Sequence, residues 1–400
     1  MPTSFDVVIV GSGFVGSALA RALQDLPLKV AILERTPVHQ MPFDQRSIVL
    51  SYGSSRILNA LGVWDTLSSK TIPIETIQLS EAGRFGMVHL SAKEERVNAL
   101  GYVVEGGYLQ HVLGQATQAA DRITSWCPAN VVSMEKEEQH WRLGVECEQG
   151  YRELRAKLVI GADGTHSLVR RLQKINIEEF DYQQMAIVSQ VGLHRSHHHV
   201  AYERFTQKGA IAFLPLAGLK AGLVWSAPQS FAKTLMEWED KLFLEKLQQY
   251  FGYRLGRFLS LGQRVSYPLK KICAMQQAGP GWVLIGNAAH TLHPIAAQGF
   301  NLGLRDVACL VDVITDALHQ KQNLFDEGVT KAYVDARARD QTDTTRFTHR
   351  LVRVFSQETW PIKITRTWAN SLIEYVPFLK HRIARQAMGL AGRLSRLNRR

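Results

Sequence analysis

Two glycine-rich stretches hold the residue types best suited to chemistry: Gly11-Ser-Gly-Phe-Val-Gly16 and Gly286-Asn-Ala-Ala-His-Thr-Leu-His-Pro-Ile-Ala-Ala-Gln-Gly-Phe-Asn301. Small residues let backbone N–H groups approach an anion closely, and a following helix adds a positive dipole end. Gly161-Ala-Asp-Gly164 lies between the two stretches. The three together describe a chain that returns to one long, phosphate-bearing ligand.

The flanking residues say which elements position these turns. Residues 5–10 are an apolar, β-branched run of the kind that forms a buried parallel strand. Helix-forming residues 17–23 follow the glycines, and a second apolar run, 29–33, ends in Glu34. This is a βαβ dinucleotide unit: Gly11 for the tight turn, Gly13 for approach to a pyrophosphate, Gly16 for close helix–strand packing. Glu34 stands where a carboxylate accepts hydrogen bonds from a ribose. The unit alone does not separate NAD from FAD. The later segments do: strands over 158–162 and 282–285 each enter a small-residue loop, and residues 301–318 follow as a long helix. A nicotinamide dehydrogenase needs only the first unit, so three returns point to FAD.

The three ordered motifs resemble those of the class A aromatic hydroxylase flavoproteins, of the p-hydroxybenzoate hydroxylase fold. Asp44-Gln-Arg46, Glu203-Arg-Phe-Thr206, Ile211-Ala-Phe-Leu-Pro-Leu216 and Thr291-Leu-His-Pro-Ile295 resemble the ubiquinone-biosynthesis branch. The resemblance implies an α/β chain: a Rossmann-like FAD-binding domain, an inserted β-sheet substrate domain and a helical C-terminal region. It implies FAD as cofactor, with NAD(P)H, O₂ and a polyprenylated phenol as co-substrates, hydroxylated through a flavin hydroperoxide. Glu34 and Arg35 are then expected at the adenosine ribose, and Arg46, Asp163 and Gly164 near the pyrophosphate and ribityl chain. Gly299, Phe300 and Asn301 are expected at the isoalloxazine, and Gln110 as a further polar contact. Asn287 stands where most of the family has Asp; an amide still accepts a hydrogen bond and also donates one. Other chemistries stay open: hydroxylation at another ring position, a prenyl-chain reductase or epoxidase, or a non-catalytic membrane-binding scaffold.

The expected organisation is FAD-binding pieces at 1–75, 101–177 and 275–345, substrate-domain pieces at 76–100 and 178–274, and a basic helical region at 346–400. Within the insertion one helix is expected over 230–250, with strands around it. Phe205, Ile211, Phe213 and Leu214 are the expected apolar lining for a substrate tail. No residue is assigned as catalytic base. His290 and His293 flank the late loop as candidates for a catalytic role, or as loop histidines bonded to backbone. His194, His197, His198 and His199 are expected in a surface loop and not at a metal, because neighbours in an extended segment face opposite ways.

Four hundred residues can build two or three domains with substantial cores. No apolar run reaches bilayer-spanning length, and a strand begins too soon for a signal peptide. The four scattered cysteines suit free thiols in a reducing cytoplasm. The formal net charge of +11 is concentrated at one end: from Arg346 onward there are twelve Lys/Arg against Glu358 and Glu374. A continuous helix over 378–400 would gather Leu379, Ile383, Ala387, Leu390, Leu394 and Leu397 on one side, with Arg382, Arg385, Arg393, Arg396, Arg399 and Arg400 largely opposite. Such a helix suits the inner face of an anionic membrane, or a site on the protein's own body or on another enzyme of ubiquinone synthesis. No nucleic-acid motif accompanies the charge.

Overall fold

The computed structural model describes residues 3–37, 44–83, 86–356, 374, 376–391 and 394–399. Its first sheet has a parallel centre in the order β19 (Trp282–Leu284), β11 (Gly150–Gly161), β1 (Thr3–Val10), β2 (Val30–Leu33) and β8 (Ile123–Trp126). β18 (Ala278–Gly279) pairs antiparallel with β19, β10 (Trp141–Cys147) with β11, and β9 (Ala129–Lys136) with β10. Val7 and Ile9 of β1 face helices α1 (Phe14–Leu23), α4 (Gly106–Gln118) and α8 (Gln298–His319). Val8 and Val10 face Trp141, Leu143 and Val145 of β10. Burial on both faces is why this strand is an unbroken apolar run.

The second sheet runs β20 (His290–Thr291), β17 (Val265–Ala274), β12 (Ile177–Leu193), β15 (Lys220–Pro228), β14 (Gly209–Leu216), β13 (Val200–Thr206), β5 (Thr76–Glu81) and β6 (Met87–Ser91), with β16 (Phe258–Leu261) beside β12. A small third sheet, β3 (Ser47–Ser51), β7 (Gly101–Glu105) and β4 (Ile72–Ile74), lies between them in sequence; α2 (Tyr52–Ala60) and α3 (Trp64–Ser68) follow β3. The short helix α5 (Leu168–Leu172) follows β11, and α9 (Glu327–Ser356) packs on α8.

Four expectations are corrected here. The helix over 230–250 is two, α6 (Gln229–Glu237) and α7 (Asp240–Phe251), parted by extended backbone at Trp238 and Glu239. Arg264 stabilises the break by donating to the Leu235 and Trp238 carbonyls at 2.6 and 2.7 Å. Ile211 and Phe213 do not line a substrate groove. Strand alternation turns them away from the cavity, into a cluster with Trp225, Phe243 and Phe251 under α6 and α7, while Ala210, Ala212 and Leu214 face the cavity.

The C-terminal helix, α10 (Pro377–Ala387), stops well short of residue 400, and Gly389 turns the chain at φ +68°. Its apolar stripe is covered by the protein itself: Ala384 and Met388 are buried, with Ile383 and Leu390, against Val88, Leu90 and Leu100. Leu397 packs on the core of the first sheet, and the Met388 carbonyl accepts from the Gly53 N–H at 2.8 Å. Arg382, Arg385, Arg396 and Arg399 are exposed, whereas Arg393 and Arg400 lie outside the described residues. Among the described residues no helix is long and apolar enough to cross a membrane. The histidine segment is not uniformly a surface loop either, since His197 is buried and its Nε2 lies 2.8 Å from the Leu216 carbonyl.

The alternation along β14 makes a direct prediction. Phe213→Ala should cost about 3–5 kcal/mol in chemical denaturation, as expected for emptying an aromatic core site. Leu214→Ala, on the cavity side, should cost distinctly less.

Candidate active site

The turn after β1 is shaped by what cannot be there. At Gly11, φ is +100° and an added Cβ would lie 2.7 Å from the Ala162 carbonyl oxygen. At Gly16 it would lie 1.9 Å from the Gly11 oxygen, so this glycine serves packing and is not on the cavity wall. Gly13 is the opposite case: a Cβ would meet nothing within 4 Å, and Gly13 caps α1 with no side chain. The first N–H groups of α1 therefore have no intrahelical or side-chain partner and open onto the cavity. Glu34 accepts from the Ser12 N–H at 2.9 Å, the Ser12 hydroxyl at 3.0 Å and the Thr36 N–H at 2.9 Å, and shares the wall with Arg35. Gln110 is not a wall residue: its amide donates to the Ser12 carbonyl at 2.8 Å, bracing the turn from behind.

β11 delivers Asp163 and Gly164 to the same wall. Oδ2 of Asp163 accepts from the Leu168 and Val169 N–H groups at 2.6 and 3.1 Å, heading α5, while Oδ1 is buried without a hydrogen bond. Arg170 donates to the Ala288 carbonyl at 2.9 Å and the Thr165 carbonyl at 2.7 Å, joining this turn to the late loop. Burial lowers its pKa below the usual guanidinium value. Asn287 projects from that loop onto the wall, exposed to the cavity. Arg46 lies along it too, its guanidinium paired with Asp44 (Nη2–Oδ2 2.6 Å) and 5.7 Å from the Tyr267 ring.

The approach to α8 is strained. Ala296 and Ala297 are consecutive left-handed residues at φ +57° and +50°, each costing on the order of 1–2 kcal/mol because they carry a Cβ. Helix α8 then starts without a side-chain cap, and a Cβ at Gly299 would meet nothing within 4 Å. The Asn301 side chain is fully engaged. It accepts from the Ser51 N–H (2.9 Å) and Ser54 hydroxyl (2.7 Å) and donates to the Val49 (2.9 Å) and Ala297 (2.7 Å) carbonyls. Asn301 thus clamps the start of α8 to β3 and α2.

One group that holds the loop was absent from the sequence reading. Asp306 is fully buried, with Oδ2 accepting from the Gly286 N–H (3.1 Å) and 2.6 Å from His290 Nε2. Oδ1 accepts from Arg337 Nε (2.8 Å) and Gln341 Nε2 (2.9 Å) of α9. Burial alone would raise this carboxyl; His290 and Arg337 outweigh it and hold it well below the ordinary carboxylate range. The signal was present as Arg305-Asp306 inside an apolar helical run, a charge that cannot be buried unpaired. His290 is 1% exposed, off the cavity wall and committed to Asp306. Asp306→Asn should destabilise the fold by about 3–5 kcal/mol, because it strands the Arg337 charge. The loss is measurable by denaturation and should be accompanied by weaker flavin retention.

His293 is also off the wall. Its Nδ1 accepts from the Ile295 N–H at 3.1 Å, and its Nε2 lies 3.3 Å from Gln184 Oε1, an arrangement that needs the neutral ring. Desolvation lowers its pKa to about 4. A lowered folded value means the contribution is present above the unfolded pKa near 6.5 and is lost as pH falls through 4. Thermal stability should drop across that window in the wild type, and the His293→Asn variant should show a flatter profile between pH 6.5 and 4.

All these turns meet one cavity of about 2580 Å³. It brings together Gly11, Gly13, Glu34, Arg35, Arg46, Asp163, Gly164, Asn287, Gly299, Phe300 and Asn301, and adds Phe205 and Leu214 from the second sheet. The residues fit FAD: two uncapped helix starts for a pyrophosphate and a flavin ring, cradles at Gly13 and Gly299 that a Cβ would fill, and an unpartnered Asp163 oxygen. The fold and wall define a flavoprotein with a second, sheet-covered chamber. A family model described as "FAD binding domain" matches residues 4–348, and the chain belongs to that family. It is 31% identical over 392 residues to the 3-demethoxyubiquinol 3-hydroxylase of Escherichia coli, covering 96% of this chain and 98% of the relative. It is likewise 31% identical to the ubiquinone hydroxylase UbiL of Rhodospirillum rubrum, over 96% and 89% of the two chains. Crystalline p-nitrophenol 4-monooxygenase PnpA of Pseudomonas putida shares the fold, with a TM-score of 0.81 at 15% identity over 98% and 100% of the chains. This chain is an FAD-dependent aromatic monooxygenase that uses NAD(P)H.

Proposed function

We propose that the chain hydroxylates a polyprenylated methoxyphenol ring in ubiquinone synthesis, with 2-polyprenyl-6-methoxyphenol as the substrate. The observation that carries this is the composition of the cavity away from the glycine turns. There the wall is Ile74, Ile77, Leu79, Val88, Leu90, Leu100, Ile383 and Ala387, an apolar arm continuous with the flavin end. A phenol with a greasy tail matches that division: the ring at the loop, the isoprene units in the arm. The names of the relatives support the ubiquinone setting.

When bound, FAD accepts reducing equivalents from NAD(P)H and activates O₂. The chain's own residues supply the rest. Gly13 and the head of α1 would take the pyrophosphate, Glu34 with Arg35 the adenosine ribose, and Arg46, Asp163, Gly164 and Asn287 the polar chain. Backbone groups of Gly299, Phe300 and Asn301 would face the ring, held there by the Asn301 and Asp306 bonds. The second sheet closes over the ring and keeps bulk water from the reacting atoms. The enzyme works in the cytoplasm, peripheral to the inner face of the membrane where its substrate dissolves. The exposed Arg382, Arg385 and Arg399 supply charge for that surface.

Turnover of 2-polyprenyl-6-methoxyphenol under ¹⁸O₂ should place one labelled atom in the product; an unlabelled product, as from a prenyl reductase, overturns the proposal. Ile77→Trp, which fills the arm, should lower kcat/KM for the prenylated phenol by roughly tenfold or more. It should leave an unprenylated methoxyphenol nearly unaffected.

A further inference from the structure

We infer that Glu203 is the catalytic base that takes the proton from the substrate's ring hydroxyl, a role that rests on the phenol chemistry proposed above. The inference begins with position. On β13, Ala201, Glu203 and Phe205 share the sheet face turned to the cavity, which Tyr202 also touches, and they run from one end of the chamber to the other. Ala201 packs with Ile74, Ile77 and Leu214 at the apolar arm. Phe205 packs with Ile295 of the strained loop before α8. Glu203 stands between them, one strand repeat, roughly 7 Å, from each. A molecule with its tail in the arm and its ring at the loop brings its polar group to this place.

Glu203 is also chemically alone. The groups opposite it are Leu79 on β5 and Ala212 on β14, with Val224 on β15 beyond. Helix α9 brings Phe347 and Leu351 to the cavity wall, and α10 brings Ile383 and Ala387. The ionisable side chain sharing this sheet face on the neighbouring strand is Glu81. No cation is paired with Glu203 among the described residues. Desolvation alone raises its carboxyl to about 7, where a general base is most effective at neutral pH. A carboxylate kept in an apolar chamber without a partner has no structural use, because burial of an unpaired acid only destabilises the fold.

The proton inventory closes. As the ring attacks the activated oxygen, the hydroxyl proton passes to Glu203 and the O–H electron pair stays with the ring. The dienone so formed then loses the proton at the newly oxygenated carbon, and that proton leaves with the second oxygen atom of O₂ as water. Glu203 returns its own proton to the ring oxygen, restoring both the aromatic product and the carboxylate. Oxygen comes from O₂ and the two electrons from NAD(P)H, as the established activity supplies.

The test uses FAD-loaded full-length enzyme with 2-geranyl-6-methoxyphenol as the probe. Wild-type enzyme must consume O₂ and hydroxylate this phenol; if it does not, the proposed function fails independently of Glu203. Glu203→Gln should keep wild-type FAD content and the wild-type rate of flavin reduction by NADPH. Hydroxylation should fall on the order of a hundredfold or more. Its rate should rise with pH toward the phenol's own pKa, where the wild type shows a limb near neutrality. A ring-fluorinated probe, ionised at lower pH, should recover much of the lost rate, and Glu203→Asp should keep part of it. Hydroxylation by Glu203→Gln at the wild-type rate with the wild-type pH profile overturns the inference. So does loss of activity that neither the fluorinated probe nor higher pH restores in a variant with full FAD content.

Discussion

Helices α1 and α8 each begin without a side-chain cap, and both beginnings face the same cavity. Free N–H groups at a helix start demand an acceptor, and two such starts at one cavity demand a ligand with acceptors at both ends. The rest of the molecule serves this requirement. Gly11 and Gly16 bring β1, α1 and Ala162 too close for any side chain. Gln110 and Glu34 fix Ser12 from two directions, so the turn is braced before any ligand arrives.

The late loop needs more support, because two alanines hold left-handed backbone beside the cavity. That support is polar and buried. Asn301 ties the start of α8 to β3 and α2, and Asp306 ties the 286–290 turn to α9 through Arg337 and Gln341. The network extends through Asp340 to Arg305 and Thr344. A buried ionic cluster is poor evidence for stability but good evidence for a unique geometry, and here the geometry is that of the wall. The C-terminal segment closes the same region from outside, with Gly389 against Ser51 and Arg396 on Asp316. Ile383, Ala384, Met388 and Leu390 are used inside the molecule, which leaves Phe378 and several arginines on the outer surface.

Much of this was legible because backbone geometry leaves few options. A glycine that must turn or touch backbone cannot be replaced, so the three motifs announced a shared ligand. The long apolar strands and helices around them followed from periodicity. Other features were hidden for physical reasons. In β14 both faces are apolar, so the pattern did not say that Ala212 and Leu214, and not Phe213, face the cavity. Trp238 and Glu239 break a helix with no Pro or Gly to mark it; the break depends on Arg264, distant in sequence. Gly389 did mark the end of α10, but the charge pattern beyond it suggested continuity. Glu203 was visible only as part of a motif, since its isolation depends on β5, β14, α9 and α10 together. For His290 and His293 the sequence left a catalytic role and a backbone-bonded loop role both open; which way each ring points depends on Asp306 and Gln184, distant in sequence.

The central claim is that one continuous cavity holds FAD and the phenol side by side. Titrating FAD-loaded enzyme with 2-polyprenyl-6-methoxyphenol while recording the flavin absorption spectrum tests it most directly. The account predicts one FAD per chain and a saturable shift of the flavin bands as the phenol fills the apolar arm. Saturable binding of the phenol that leaves the flavin spectrum untouched would contradict it.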